Sequence, residues 1–513
     1  MRSKRVVVIG AGIGGLAAAV NLAAQGIEVC VVERAAQAGG KLRELKIGGA
    51  PIDAGPTVFT MRWVFDQLFD DAGEDFSAHL KLRPAEILAR HAWSMDERLD
   101  LHADLDQSAA AIADFAGRAE AARYLEFAQR ARRIYQTLEM PFIRSECASP
   151  QALVRALGAR RLLDLWQISP FTSLWHALGE HFHDPRLRQL FGRYATYCGS
   201  SPFQAPATLM LVAHVEQEGV WLVEGGMRRL AEAVESAATK LGATFRYGAD
   251  VQEIVVKGNS VREVRLADGE LIEADAVIVN ADVAAVADGH FGAAAARAVP
   301  QISRTTRSLS AVTWAMFAET EGFPLSRHNV FFSRDYNAEF DDIFRHGRLP
   351  CSPTVYVCAQ DRCDDDTHAV AGPERLLCLI NAPANGDAQP LDAREIAQCQ
   401  ARTFDRLRRC GLTIKHQPQA MQITTPQDFN RLFPATGGAL YGPATHGWQA
   451  SFARQGARSR IAGIYLAGGS THPGPGVPMA ALSGRIAAAS LIADWASNSK
   501  SRRAAIAGGI STD

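Results

Sequence analysis

The chain has 513 residues, 47% apolar and 21% charged, with 54 Lys+Arg against 55 Asp+Glu and a formal net charge of -1. That composition excludes a disordered or fibrous chain, and the balanced charge gives no electrostatic case for a nucleic-acid partner. At roughly 100–200 residues per domain, the length predicts about three structural units.

The first residues, Met1-Arg2-Ser3-Lys4-Arg5, are basic, and the stretch to Ala24 is almost wholly apolar, which is the outline of a secretory signal. Glycines at 10, 12, 14 and 15 interrupt it, however, and glycine is costly inside a helix. A strand, a turn and a helix account for the same residues, so no signal peptide is expected. Arg5 to Ile9 is short, β-branched and continuous, as in a buried parallel strand. Gly10-Ala11-Gly12-Ile13-Gly14-Gly15 follows, then a predicted helix from Leu16 to Gln25, stopped at Gly26. Glu28 to Val32 reads as a second strand, closed by Glu33. G-x-G-x-x-G in this context, with an acidic residue about 20 positions on, is a dinucleotide-binding pattern. Gly10 makes the tight turn, Gly12 admits the diphosphate to the helix N-terminus, and Gly15 lets helix and strand pack closely. Glu33 would accept hydrogen bonds from ribose hydroxyls.

Glu33-Arg34 followed by Gly39-Gly40-Lys41 resembles the flavoprotein superfamily that includes amine oxidases and carotenoid desaturases, as does Asp53-Ala54-Gly55-Pro56-Thr57. The resemblance implies FAD rather than a nicotinamide. It also implies that Gly39, Gly40 and Lys41 lie near the diphosphate and Gly55, Pro56 and Thr57 near the flavin. Val58 to Phe69 reads as an apolar helix beside that loop. Residues about 91–214 look mostly helical, and Leu162 to Phe182 carries Trp166, Phe171, Trp175 and Phe182. Two readings stand open for that stretch: packed core, or the wall of a lipid tunnel or membrane-dipping surface. His176, His181 and His183 lack an acidic or cysteine frame, so no metal is expected. The nine cysteines (30, 147, 198, 351, 358, 363, 378, 399 and 410) form no C-x-x-C pair and read as free thiols of a reducing cytoplasm.

Glu216 to Met227 resembles the segment that returns a desaturase chain to its FAD domain. Arg229 to Leu241 is then a predicted helix, Asp250 to Ile254 a segment whose Val251 backbone would meet adenine, and Leu271 to Val279 a strand. Residues about 296–450 contain the strand-like runs Ser310–Phe317 and Thr354–Ala359 and the acidic turn Asp364-Asp365-Asp366. Ile464 to Ala467 reads as a strand, Gly468 to Pro478 as a loop of close backbone approach, and Met479 to Trp495 as a helix. No other apolar run is expected to span a membrane. The tail after Asn498 is expected to be disordered.

Gly463 to Val477, with its G-G-S-T-H-P-G-x-G-V core, resembles the bacterial-type phytoene dehydrogenase, or carotenoid desaturase, family; Pro475 departs from the small residue usual there. The resemblance covers nearly the whole chain. It implies an α/β fold: a Rossmann-type FAD-binding domain with a mixed-sheet substrate domain and a helical insertion. The FAD domain would be discontinuous (1–90, 215–290 and 455–498), with 91–214 as the insertion, 296–450 as the substrate domain and 499–513 as the tail. Gly468, Gly469, Gly476, Val477 and Met479 would receive the flavin ring and ribityl chain. The chemistry implied is dehydrogenation of an acyclic carotenoid, with hydride leaving to flavin and a proton lost. The polyene itself spreads the charge, so no strong acid–base pair is required. His472 and Glu139 are candidate proton acceptors only.

Gly55 to Asp66 and Val477-Pro478-Met479 resemble the hydroxyneurosporene desaturase branch, implying C3,4 desaturation of 1-hydroxycarotenoids in the carotenoid synthesis of photosynthetic bacteria. Phytoene or neurosporene desaturation, carotenoid isomerisation, amine oxidation and a non-enzymatic prenyl-protein escort are the alternatives. A substrate soluble only in membrane implies a cytoplasmic protein attached to the membrane surface. The electron acceptor, oxygen or a quinone, leaves no mark in the sequence.

Overall fold

A computed structural model describes residues 4–507 apart from 147, 148, 150, 152, 154, 156–170, 364–369 and 371. Trp166, Cys147 and the Asp364–Asp366 turn therefore lie outside the described residues. Arg5–Ile9 (β1) is the middle strand of a five-stranded parallel sheet. The order is Ile464–Leu466, Ala276–Val279, β1, Glu28–Val32 (β2) and Thr244–Arg246. Val6, Val7 and Val8 are fully buried, as a continuous apolar strand covered on both faces must be. Ile13–Ala24 (α1) connects β1 to β2. It covers one face together with the helices Arg228–Lys240 and Val477–Ala507. A three-stranded antiparallel sheet, Val251–Lys257, Ser260–Leu266 and Leu271–Glu273, covers the other.

Several elements differ from expectation for local reasons. α1 begins at Ile13 because Gly12 is already its extended N-cap (φ −74°, ψ 169°). The expected strand Leu271–Val279 is two strands in two sheets. The chain changes sheet at Asp275, whose carboxylate accepts from the Arg5 amide at 2.9 Å and from Lys4 Nζ at 3.2 Å. The helix expected over Val58–Phe69 is confined to Trp63–Asp71, since Phe59 accepts from the Trp221 amide (2.8 Å) in an extended bridge and Met61 turns the chain at φ 49°. The last helix continues to Ala507, so the tail expected to be disordered from 499 is helical to that point, and 508–513 lie outside the described residues. Val477–Ser497 (21 residues) is long and apolar enough to cross a membrane by length and composition alone, as a buried core helix also can be. It is 61% buried and packs on α1 so closely that a Cβ at Gly484 would stand 1.9 Å from the Gly14 carbonyl oxygen.

An eight-stranded mixed sheet forms the second layer. Its order is Thr413–Lys415, Ser310–Glu321, Glu374–Ala382, Val355–Ala359, His328–Phe331, Ile87–Ala92 and Arg98–His102, with Met421–Thr424 also on Ser310–Glu321. The two strands from 87–102 cross the boundary expected at residue 90, because Ile87–Ala92 pairs in parallel with His328–Phe331. Beside this sheet lies a helical layer that includes Leu105–Ala116, Arg118–Leu138, Leu174–His181 and Pro185–Gly192. Arg118–Leu138 buries Tyr124, Phe127, Ala131, Ile134 and Leu138, a stripe at helical spacing. Phe182 packs in this core, whereas Phe171 is 67% exposed. All described cysteines are free.

Two buried histidines and one half-buried histidine are held as neutral imidazoles. Burial first, with Arg193 adding repulsion, holds His91 down to about 3. Burial with Arg327 and Arg193 holds His328 down to about 3, and burial alone holds His446 down to about 4. The unfolded chain takes up protons below about 6.5 that these groups refuse. Their contribution is therefore complete above that pH and is lost as pH falls toward the folded values. Lowering the pH from 6.5 to 5 should cost roughly 2 kcal/mol per imidazole. His91→Leu should reduce the pH slope of stability in denaturant titrations by about one proton over this window. An unchanged slope would contradict the assignment.

Candidate active site

A cavity of about 1220 Å³ runs from the C-terminal edge of the parallel sheet into the space between the mixed sheet and the helical layer. Every cofactor-binding residue read from the sequence lies on its wall except Gly15. Gly15 instead faces β1, where an added Cβ would be 2.1 Å from the Gly10 carbonyl oxygen.

At one end the glycine turn opens the first-turn amides of α1 to the cavity, and such amides have no partner within their helix. Gly10 takes φ +96° and donates to Val32 O at 2.8 Å. A Cβ at Gly12 or Gly14 would stand 2.8 or 2.7 Å from the Asn280 side chain. Glu33 is buried. Its Oε2 accepts from the Ala11 amide at 2.7 Å and Oε1 from the Ala35 amide at 2.8 Å, so the carboxylate first ties down the two loops around it. Each oxygen keeps a lone pair for a ligand hydroxyl. Gly39 donates to Ala11 O at 2.9 Å and bridges Gly12, and a Cβ at Gly40 would be 3.1 Å from Gly12 Cα. The two glycine segments thus form one floor. Lys41 Nζ donates to Leu440 O at 2.6 Å, and burial lowers its pKa against the opposing pull of Asp282. The Arg34 guanidinium donates to Leu432 O and, at 3.3 Å, to Arg431 O, so it clamps a facing loop. Val251 begins its strand on the same wall.

Farther along, Gly55 passes so close to the Lys41 carbonyl that a Cβ would be 1.8 Å away. Pro56 and Thr57 follow, and Thr57 Oγ1 shares a 2.7 Å hydrogen bond with Tyr356 OH, itself 2.8 Å from His328 Nδ1. Opposite lies the loop after Ile464–Leu466. Gly468 N donates to Ser483 Oγ at 3.2 Å, and Gly469 O accepts from Arg454 Nη1 at 3.4 Å. Gly476 accepts from the Ala480 amide at 2.8 Å, placing Val477 and Met479 on the wall at a helix N-terminus.

His472 and Glu139 are not on this wall. His472 Nε2 donates toward Phe142 O (2.9 Å) and Ser145 O (3.1 Å), and burial lowers its pKa. It straps the 142–145 turn to the loop from Gly468 to Gly476. Glu139 accepts from Arg144 Nη2 at 2.7 Å. Both side chains are thus engaged with the protein's own groups, Glu139 with Arg144 and His472 through Nε2, while His472 Nδ1 is buried without a partner among the described residues. Of the three histidines weighed for metal, His176 faces Glu180 and His181 faces Arg130.

Sequence reasoning missed four residues. Asn280 donates from Nδ2 to Gly10 O (3.2 Å) and fills the space between the glycine turn and Gly468. Its only sequence signal is its place immediately after a buried strand. Buried Arg454 holds the loop from Gly468 to Gly476, and Arg193 and Glu216 are charged groups on the wall of the chamber beyond. That chamber is otherwise largely apolar, with Leu138, Phe142, Leu209, Val212 and Phe452 on its wall. Phe171 and Trp448, edge-to-face at 5.3 Å, stand where it reaches solvent.

The sequence pattern of the family described as flavin containing amine oxidoreductase matches residues 13–492. The chain is 56% identical to the hydroxyneurosporene desaturase of Rubrivivax gelatinosus, over 100% of this chain and 98% of that one. It is 44% identical to the hydroxyneurosporene desaturase of Cereibacter sphaeroides, over 97% and 99%. A putrescine oxidase variant superposes with a TM-score of 0.58 at 16% identity, over 96% of this chain and 100% of that one, a likeness of fold alone.

Proposed function

The chain belongs to the flavin-containing amine oxidoreductase family and, within it, to the carotenoid desaturases. From that premise we propose that it uses FAD to introduce the C3,4 double bond into acyclic 1-hydroxycarotenoids such as 1-hydroxyneurosporene. The observation that carries this reading is one cavity joining a glycine-rich, amide-lined cradle to a largely apolar chamber. The cradle fits FAD: side chains at Gly10, Gly12, Gly14 or Gly40 would meet neighbouring atoms within about 3 Å, leaving backbone alone to face a diphosphate. Glu33 would take the adenosine ribose, Val251 the adenine, Gly39, Gly40 and Lys41 the diphosphate side, and Gly55–Thr57 with Gly468–Met479 the ring.

Bound FAD would accept a hydride from an allylic C–H, the second hydrogen leaving as a proton. The chain's own part is positioning and exclusion of water. Apolar walls hold the polyene, and a delocalised positive charge on it asks little of an acid–base pair. In domain terms, 1–90, 215–290 and 455–498 would hold FAD, and 296–450, joined by the strands of 87–102, would form the substrate sheet over the 91–214 insertion. Exposed Met140, Phe171 and Trp448 support attachment to a membrane surface, from which substrate would enter beside the Phe171–Trp448 pair. Oxygen or a membrane quinone would reoxidise the flavin.

The test is pigment analysis of two bacterial hosts expressing the chain, one accumulating phytoene and one accumulating 1-hydroxyneurosporene. A red-shifted product two hydrogens lighter is expected in the hydroxylated host alone. Coloured products from phytoene would make this an early-pathway desaturase instead.

A further inference from the structure

Arg193 and Glu216 are charged groups on the wall of a cavity built for a hydrocarbon. Arg193 ends the helix Pro185–Gly192 as its C-cap, and Glu216 lies on the helix Leu211–Gln217. They are bridged by tyrosines. Arg193 Nη1 donates to Tyr197 OH at 3.2 Å, Tyr197 also neighbours the Glu216 carboxylate, and Tyr194 OH donates to Glu216 Oε2 at 2.7 Å. The bond to Tyr197 is the only one the Arg193 guanidinium makes among the described residues, although the group carries five donors. Its remaining contacts are ring faces, Tyr197 at 5.1 Å and Tyr356 at 5.6 Å. Donors and acceptors left open in an enclosed space are costly unless a ligand completes them.

The position is informative. Tyr356 hydrogen-bonds Thr57 at 2.7 Å, so the cluster stands one residue from the Gly55–Thr57 loop that would face the flavin ring. In a 1-hydroxylated carotenoid, C1 lies only two carbons before C3. When the C3–C4 bond is at the ring, the hydroxyl must therefore be at the ring as well. A hydroxyl there can accept from Arg193 and donate to Glu216 or Tyr197. A hydrocarbon end would leave all three facing methyl groups.

We propose that Arg193, Tyr197 and Glu216 form a hydrogen-bonding subsite for the C1 hydroxyl and select hydroxylated over hydrocarbon chain ends. The proposal rests on the carotenoid desaturase reading. Sites built to bind a hydroxyl discriminate strongly against analogues that lack it, because their own polar groups are then left unpaired.

The experiment uses liposomes carrying equal amounts of 1-hydroxyneurosporene and neurosporene, incubated with the FAD-loaded full chain. The ratio of initial rates for the two is the readout, and loss of folded enzyme lowers both rates together and leaves it unchanged. Wild type should prefer the hydroxylated chain. Arg193→Leu and Glu216→Gln should each lower that preference by about tenfold or more, the factor of one charged hydrogen bond. Tyr197→Phe, the mildest change, should lower it severalfold and serves if a charge variant does not fold. A wild type with the preference and variants that retain it would overturn the subsite and leave the desaturase reading standing. A wild type without the preference would overturn the proposed substrate, and the subsite with it.

Discussion

Gly12→Val is expected to yield a folded protein without flavin. The Cβ at this position would stand 2.8 Å from the Asn280 amide nitrogen, the end of a side chain that can move aside. The fold therefore has a way to accommodate the change, but the cradle does not. Gly12 is the N-cap of α1, so the two γ-carbons of valine would occupy the space over the first-turn amides, where a diphosphate must come within hydrogen-bond distance. Affinity for FAD should fall about 100-fold or more, about 3 kcal/mol. Absorption spectra of the purified variant, with far-ultraviolet circular dichroism to check the fold, give the readout. Gly26, at φ +72° with nothing within 4 Å of an added Cβ, is the control position, and Gly26→Asn should retain the chromophore. Stoichiometric flavin in Gly12→Val would refute the cradle.

Arg454→Leu should produce the larger loss of stability. The guanidinium is buried and donates to Tyr441 O (3.2 Å), Gly469 O (3.4 Å), Pro443 O (2.7 Å) and Thr445 Oγ1 (3.5 Å). It ties two loops, 441–445 and 468–476, across the cavity wall. Leucine would leave several buried acceptors without donors and the nearby Asp282 with Lys41 in place of two counter-charges. The expected cost is roughly 3–5 kcal/mol in denaturant titrations, with flavin lost at lower denaturant than in wild type. Arg454→Lys should recover part of the loss, since an ammonium can reach some of the same carbonyls. Wild-type stability in Arg454→Leu would show that these contacts are replaced by water.

The parts of the site legible in the sequence are those whose function is local. Gly10 to Gly15 between a strand and a helix, with Glu33 at the end of the next strand, require only short-range geometry. The loop from Gly468 to Gly476 is likewise marked by its own glycines and prolines. The parts that were not legible arise from distant segments meeting. Asn280 acts by standing under Gly10 and Gly14, far from it in the chain, and Arg454 by reaching carbonyls on two other loops. Arg193 and Glu216 were hidden for the same reason, since a charged residue on a helix reads as solvated until the fold encloses it. His472 illustrates the converse. Its segment stands out by its glycines and prolines, but a sequence cannot say which way an imidazole turns, and the Nε2 of this one turns toward Phe142 and Ser145. The strands of 87–102 escaped the expected substrate sheet because their partner, His328–Phe331, lies more than two hundred residues away.

The most direct test of the central claim is a single turnover without oxygen. Flavin-loaded protein is mixed with an equal amount of 1-hydroxyneurosporene in liposomes, and the carotenoid is then extracted for mass and absorption. Loss of the oxidised flavin's visible absorption is expected in step with a product two hydrogens lighter and one double bond longer in conjugation. A product of unchanged mass with the flavin still oxidised would contradict it and make the protein an isomerase.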